Sequence, residues 1–143
     1  MQRRDALLAI MGAADGRPFS PVQLQKAVFL IDRNMPNVFD ANSRFAFAPY
    51  DYGPFDREVY VEAGVLEQGD LASAVKGAGG YTEYSVTDIG LNRAREILQA
   101  LDDKQREYIV SVVEWVRSLS FAKLVKSIYE AYPDTRANSV FVE

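Results

Sequence analysis

The side chains that most often do chemistry near neutral pH are missing from this sequence. None of its 143 residues is a histidine or a cysteine. Imidazole bases, thiolate nucleophiles and the commonest metal ligands are therefore absent. An enzyme built from this chain would have to work with carboxylates, Lys, Tyr or Ser alone. The composition points away from catalysis, and we predict no catalytic residue, no metal site and no cofactor.

Two acidic pairs are the remaining candidates for acid–base or metal chemistry. Asp102 and Asp103 stand just before an apolar helical pattern, where a carboxylate typically caps the start of a helix. Glu58 and Glu62 are four residues apart, which puts them on one helix face that we expect to be solvated. Because no base or nucleophile lies at a matching spacing, we predict structural roles for both pairs.

The glycine-rich run at residues 77–80 does not fit a phosphate-binding loop. It lacks the Gly-Lys-Ser/Thr ending that such a loop needs, and it leads into an alternating, strand-like segment at 81–86 instead of a helix. Residues 71–75 form a matching strand candidate on the other side. We therefore predict a β-hairpin with a flexible glycine-rich tip.

Apolar periodicity and capping residues predict the elements that would position any site. Ser20-Pro21-Val22-Gln23 begins a helix with a capping box, and that helix ends near Asn34. Before it we expect a short surface helix around 6–11. After it we expect a strand within 44–52, a helix at 54–68, the hairpin, and three helices capped by Thr87 or Asp88, by Asp102-Asp103 and by Ser120.

This order of elements is typical of a winged helix, in which the third helix reads DNA and the hairpin forms the wing. We predict a single domain over residues 1–143: a mainly helical α+β fold with a winged-helix-like core, a small β-hairpin and additional C-terminal helices. The third helix, however, carries one arginine against four acidic residues, a net charge of −3: Asp56, Arg57, Glu58, Glu62 and Glu67. DNA phosphates would be repelled by that surface.

Aromatic residues cluster around Gly53-Pro54, at Phe45, Phe47, Tyr50, Tyr52 and Phe55. We expect the three phenylalanines to fill the core where strand meets helix. The two tyrosines flank a polar residue, so they are better placed for recognition, since aromatic side chains are enriched at interface hot spots. We predict a partner-binding surface made of Tyr50, Asp51, Tyr52, Arg57, Glu58 and Glu62.

The motifs of the chain occur together in a recognisable order: Leu24-Gln25-Lys26, Val28-Phe29-Leu30, Tyr52-Gly53-Pro54-Phe55, Tyr84-Ser85-Val86-Thr87 with Gly90, and Tyr129-Glu130-Ala131-Tyr132-Pro133. From about Leu24 to Ser139 this order resembles the Panacea (SocA-like) domain. It is also similar to a group of small bacterial proteins of the YwgA type. The resemblance implies a helical antitoxin that neutralises a partner toxin by binding it, or that presents the toxin to a protease.

Charge and hydropathy set the expected partners and location. The net charge is −4, and no apolar run approaches the length of a membrane span. The charged start at 1–5 followed by a short apolar stretch predicts a surface helix, not a signal peptide, so we expect a cytoplasmic protein that does not bind membranes.

Our leading prediction for the function is a non-enzymatic interaction module. It would be an antitoxin-like or defence-associated regulator whose partner is a toxin or a complex subunit. The alternative is a winged-helix DNA-binding transcriptional regulator. In that case a homodimer or the N-terminal Arg3 and Arg4, together with Lys76 of the wing, would supply the nucleic-acid contacts.

Overall fold

The computed structural model describes residues 1–142, and its architecture is the mainly helical α+β fold that was predicted. The described helices are α1 (Arg3–Gly12), α2 (Pro21–Asn34), α3 (Glu58–Gln68), α4 (Asp88–Ala100), α5 (Asp103–Ser118) and α6 (Phe121–Ala131). Two antiparallel pairs of strands accompany them: β1 (Ala48–Tyr50) with β2 (Gly53–Phe55), and β3 (Ala72–Lys76) with β4 (Thr82–Val86). Short 3-10 turns follow α2 at Pro36–Val38 and α6 at Pro133–Arg136.

Four of the helices begin where their capping residues predicted. The side-chain oxygens of Ser20, Thr87, Asp102 and Ser120 each accept a hydrogen bond from the backbone N–H three residues further on. At α2 the Gln23 side chain in turn accepts from the Ser20 backbone N–H, which completes the capping box. These bonds satisfy donors that a helix start otherwise leaves unpaired, so local chemistry alone positions these ends.

The first helix is central, and the prediction of a surface helix is wrong. Every residue of α1 from 6 to 12 is buried, because the helix packs on α2, α3, α4 and β4. At Gly12 an added Cβ would collide with the Cβ of Ala94 on α4. This glycine therefore allows the closest approach of the two helices. A short apolar stripe indicated only one buried face, whereas the fold covers the helix all round.

The predicted hairpin is confirmed and carries an additional short segment. Strands β3 and β4 pair from Ala72 opposite Val86 to Lys76 opposite Thr82, and the glycine run forms the tip. Phe19, in the loop between α1 and α2, exchanges two backbone hydrogen bonds with Tyr84 of β4, with N···O distances of 2.7 and 2.9 Å. The strand-like residue that joins the hairpin thus precedes α2, where the sequence showed no strand pattern.

The segment between α2 and α3 differs from its prediction. The strand expected within 44–52 is reduced to β1, and the helix expected from Pro54 begins only at Glu58. Residues 53–55 form β2 instead, and β1 and β2 make a second small hairpin. The Asp56 carboxylate then accepts from the backbone N–H groups of Glu58 and Ala46, which delays the start of α3 and holds the preceding loop.

Candidate functional site

The tight turn between β1 and β2 forms one wall of a cavity. Tyr50, Asp51 and Tyr52, which we predicted to bind a partner, lie here, and the two tyrosine side chains are 55% and 41% exposed. The cavity has a volume of about 260 Å³, and residues of α2 and Tyr60 of α3 form its other walls. The Tyr60 hydroxyl donates to the Pro21 carbonyl, and burial raises its pKa to about 12.

A larger cavity of about 500 Å³ lies on the other side of the first turn of α2. Pro21 and Val22 line both cavities, so the two are adjacent. Two further half-exposed aromatic residues line the larger one: Tyr81 at the hairpin tip and Phe121 at the start of α6.

The exposed aromatic residues of the two cavities are joined by one ring contact. Tyr52 and Phe121 meet edge to face with their ring centroids 5.1 Å apart, and this contact links the two cavities. We call Tyr50, Tyr52, Tyr81 and Phe121 the aromatic surface. It includes the two tyrosines of the predicted site and two residues that the sequence did not single out.

The three phenylalanines near the turn are covered to different degrees. Phe45 is buried, and Phe47 is partly buried against the core. Phe55 is partly buried between the rings of Tyr50 and Tyr60, at centroid distances of 5.0 and 5.8 Å. Their predicted role as packing residues fits this placement.

Two neighbouring residues of α2 hold the segment that follows the turn. The Gln25 side chain donates to the Asp56 carbonyl at 2.9 Å and accepts from the Asp56 backbone N–H at 3.1 Å. The Lys26 Nζ donates to the Pro54 carbonyl at 3.1 Å. The first and third motifs of the family resemblance are therefore in direct contact.

Lys26 is the most unusual charged residue of the site. Its side chain lines the smaller cavity, yet the residue is only 3% exposed. Among residues 1–142 no carboxylate oxygen lies within 4.0 Å of its amine, and its hydrogen-bond acceptor is a neutral carbonyl. Burial without a counter-charge disfavours the ammonium form, so the pKa of Lys26 falls to about 7.

Gly53 is the residue that makes room for this amine. Its φ of +107° lies in the left-handed region that L side chains rarely adopt. A Cβ here would also lie 3.3 Å from the Lys26 Cε and 3.5 Å from the ring of Tyr129. The turn therefore needs a glycine for its backbone conformation and for its close approach to Lys26.

Residues 139–140 also hold the β1–β2 turn, through hydrogen bonds to the Asp51 carbonyl. The Asp51 carbonyl accepts hydrogen bonds from the Ser139 hydroxyl at 3.2 Å and from the Val140 backbone N–H at 3.0 Å. The Ser139 hydroxyl oxygen also accepts from the Tyr129 hydroxyl of α6 at 2.6 Å. The turn is thus held between α2 and the chain end.

Part of the predicted acidic surface is not solvated. Glu62 is only 6% exposed, because its carboxylate lies against Arg4 at 3.1 Å and Arg3 at 3.7 Å, and Arg3 also contacts Glu58 at 3.3 Å. The expectation that Glu58 and Glu62 share an open helix face is therefore wrong for Glu62. A spacing of four residues shows a shared face but not what packs on it.

The predicted nucleic-acid contacts are far from forming a basic patch. Arg3 and Arg4 are engaged with the glutamates of α3, and that helix carries three glutamates with no lysine or arginine. Arg57 and Lys76 are exposed at separate positions. The structure brings Arg3 and Arg4 together with Glu58 and Glu62, and leaves Arg57 and Lys76 outside that group.

Gln25 and Lys26 are the site residues that reasoning from the sequence missed as functional candidates. They sit in an amphipathic helix, where polar residues normally face water. The only signal that pointed to them was the joint presence of the Leu-Gln-Lys and Tyr-Gly-Pro-Phe motifs. The two motifs contain Lys26 and Pro54, but the sequence does not indicate that these residues are in contact.

Within residues 1–142, no group of three or more Asp and Glu side chains is arranged to hold a metal ion. Over the same residues, none of the helices combines the length and apolar character needed to cross a membrane. Comparison of the chain with protein-family models and with curated proteins finds no match.

Proposed function

We propose that this protein is a non-enzymatic interaction module that binds a partner protein through the aromatic surface. The observation that carries the proposal is the exposure of Tyr50, Tyr52, Tyr81 and Phe121 around two adjacent cavities. Apolar side chains exposed on a folded domain are usually scattered singly, so four exposed aromatic residues around two adjacent cavities favour a binding surface.

Rigidity supports the same proposal. The turn that carries Tyr52 is held by Lys26 on one side and by the Ser139 segment on the other. Tyr50 stacks on Phe55, and Tyr52 packs on Phe121. Aromatic anchors that are ordered before binding lose little conformational entropy on association, which is a property of interface hot spots.

The class of partner follows from the family resemblance. An antitoxin-like or defence-associated regulator would bind a toxin or a complex subunit, and the acidic character of the chain suits a basic partner. The DNA-reading alternative has less support, because α3 carries no basic residue and Arg3 and Arg4 are engaged in ion pairs.

The experiment compares capture of a partner by three forms of the tagged chain expressed in the native host: wild type, Tyr52→Ala/Phe121→Ala and Trp115→Ala. Trp115 is the matched control, because it is an exposed aromatic residue that lines a different cavity, between α5 and α6. A captured protein is then purified, and its affinity for each form is measured.

We expect the wild type and Trp115→Ala to bind one partner in stoichiometric amounts, and the double variant to bind it at least tenfold more weakly. Equal binding by all three forms would show that the partner does not bind through the aromatic surface. Steeply salt-dependent binding to duplex DNA in a mobility-shift assay, with no protein partner, would favour the alternative instead.

A further inference from the structure

The smaller cavity combines an uncompensated amine with aromatic walls. Lys26 contributes the only basic side chain among the residues that line it. Four aromatic residues also line it: Tyr50, Tyr52, Phe55 and Tyr60. The amine keeps one hydrogen bond to the Pro54 carbonyl, so two of the three N–H donors of an ammonium have no acceptor recorded within residues 1–142.

A buried ammonium is stabilised most by a carboxylate placed within hydrogen-bond distance. In other parts of this protein, buried charges have such partners: Asp32 contacts Arg44 at 2.8 Å, and Glu62 contacts Arg4 at 3.1 Å. Lys26 has no such partner among residues 1–142, and it lines the smaller cavity. The ammonium form of Lys26 therefore has no counter-charge among the described residues, whereas the other two buried charges have one.

We propose that the cavity beside Lys26 is a binding site for a monocarboxylate carried on an aromatic or other apolar body. The carboxylate would accept hydrogen bonds from the Lys26 amine, and the apolar body would lie among Tyr50, Tyr52 and Tyr60. Two sources share this chemistry: a free small acid, and the C-terminal carboxylate of a peptide that ends in an apolar residue. The proposal stands independently of the proposed function.

The chemistry of the walls selects against other ligands. A metal ion would be repelled by the ammonium form of Lys26. Phosphates and other dianions need more positive charge than one amine supplies. A single carboxylate matches the single amine, and a neutral apolar compound would leave that amine unpaired.

Binding of such an acid has a distinctive dependence on pH. The pKa of Lys26 near 7 means that part of the amine is neutral in the free protein, whereas the bound carboxylate favours the ammonium form. The protein should therefore take up a proton when the acid binds above pH 7. The other titratable residues that line the cavity are Tyr50, Asp51, Tyr52 and Tyr60, and Tyr129 of α6 lies beside Gly53 as Lys26 does. A comparison with Lys26→Met removes their contribution.

The test uses the full chain and four defined probes. For the free acid, the probe is 4-hydroxyphenylacetate, and its neutral counterpart 4-hydroxyphenylacetamide serves as the matched control. For the peptide, the probe is N-acetyl-Gly-Phe with a free C-terminus, and the C-terminal amide is the control. Binding is followed by 1H–15N NMR titration at pH 6.5 and 8.5, and by calorimetry in two buffers of different ionisation enthalpy.

We expect at least one acid to shift the amide signals of the β1–β2 turn and of the start of α2. Its amide counterpart and the Lys26→Met protein should bind at least tenfold more weakly. Affinity for the wild type should fall by several-fold from pH 6.5 to 8.5, with net proton uptake at pH 8.5. Trp115→Ala, altered outside the cavity, should bind like the wild type.

Failure of both acids to bind, or equal binding to wild type and Lys26→Met, would overturn the inference. A well-dispersed NMR spectrum for Lys26→Met shows that the variant is folded. Should it not fold, Tyr52→Ala, which removes a cavity wall but leaves the amine, replaces it with the same expected loss. A protein partner that still binds when neither acid does would support the proposed function alone, and acid binding without a partner would support this site alone.

Discussion

Lys26 and Glu62 both carry an ionisable group and both are nearly inaccessible to water, yet their surroundings are opposite. Glu62 is contacted by the guanidinium groups of Arg3 and Arg4. Within residues 1–142, the Lys26 amine donates a hydrogen bond to one backbone carbonyl. The Glu62 carboxylate therefore has counter-charges within the fold, whereas the Lys26 amine has none among the described residues.

The consequence of this difference can be measured. A paired buried charge contributes to stability only while both partners are present, and removing one strands the other. An unpaired buried amine instead lowers stability whenever it is protonated, and it makes the folded protein respond to pH. The four predictions below test this comparison.

The largest change in stability is expected when the buried Glu62 loses its arginine partners. Arg3→Ala/Arg4→Ala should lower the free energy of unfolding by about 3 kcal/mol, because it leaves the buried carboxylate of Glu62 without a counter-charge. Urea unfolding at pH 7 measures it. Adding Glu62→Gln to the same protein should recover much of the loss, and no recovery would mean that the charge of Glu62 is not the cause.

The next largest effect is the pH dependence of stability that the buried Lys26 amine produces. The pKa of Lys26 is about 7 in the folded state and near 10.5 when unfolded. Below pH 7 both states hold the proton, and between 7 and 10.5 the unfolded state alone holds it. The free energy of unfolding should therefore rise by about 2.5 kcal/mol from pH 6 to pH 9.

The matched variant for this pH effect is Lys26→Met, which keeps an apolar side chain in place of the lysine stem. Its urea-unfolding stability, measured over the same pH range, should lack this rise. If the free energy of unfolding rose equally with pH in both proteins, the rise would come from groups other than Lys26, and the proposed difference between Lys26 and Glu62 would be wrong.

A smaller effect is expected where the turn passes over the amine. Gly53→Ala should lower the free energy of unfolding by about 1 to 2 kcal/mol, because φ is +107° and the new Cβ would lie 3.3 Å from the Lys26 Cε. Thermal unfolding measures the change. Gly64→Ala, at a helical glycine of α3 with nothing near its Cβ position, is the control and should not destabilise the protein.

The smallest effect is expected from an ion pair in full contact with water. Glu96→Gln removes the partner of Arg93 on the open face of α4, where the two groups lie 3.2 Å apart. The free energy of unfolding should change by less than about 0.5 kcal/mol, since solvent screens exposed pairs. A loss as large as that of the Arg3/Arg4 variant would show that burial is not what distinguishes the two pairs.

The features that the sequence predicted correctly are those set by neighbours along the chain. Ser20, Thr87, Asp102 and Ser120 cap helices because each acts on a backbone group only three residues away. The glycine-rich hairpin tip depends on equally local chemistry.

The features it could not predict depend on residues far apart. Glu62 is buried by arginines more than fifty positions earlier, and Phe19 pairs with a strand more than sixty positions later. The exposure of Tyr50 and Tyr52 was predicted because both flank the polar Asp51, and their role in binding stays a prediction. The burial of Lys26 was not predicted, because nothing near it along the chain distinguishes a covered lysine from a solvated one.

The burial of residues 6–12 of α1 has a consequence for how the chain folds during its synthesis. The helix is synthesised before α4, yet it packs closely on α4 at Gly12 and Ala94. At ordinary translation speeds, on the order of ten seconds pass before residues 88–100 exist. During that interval the apolar residues 6–12 lack the surface of α4 that covers part of the helix in the folded protein, so the unfinished chain exposes more apolar surface than the finished one.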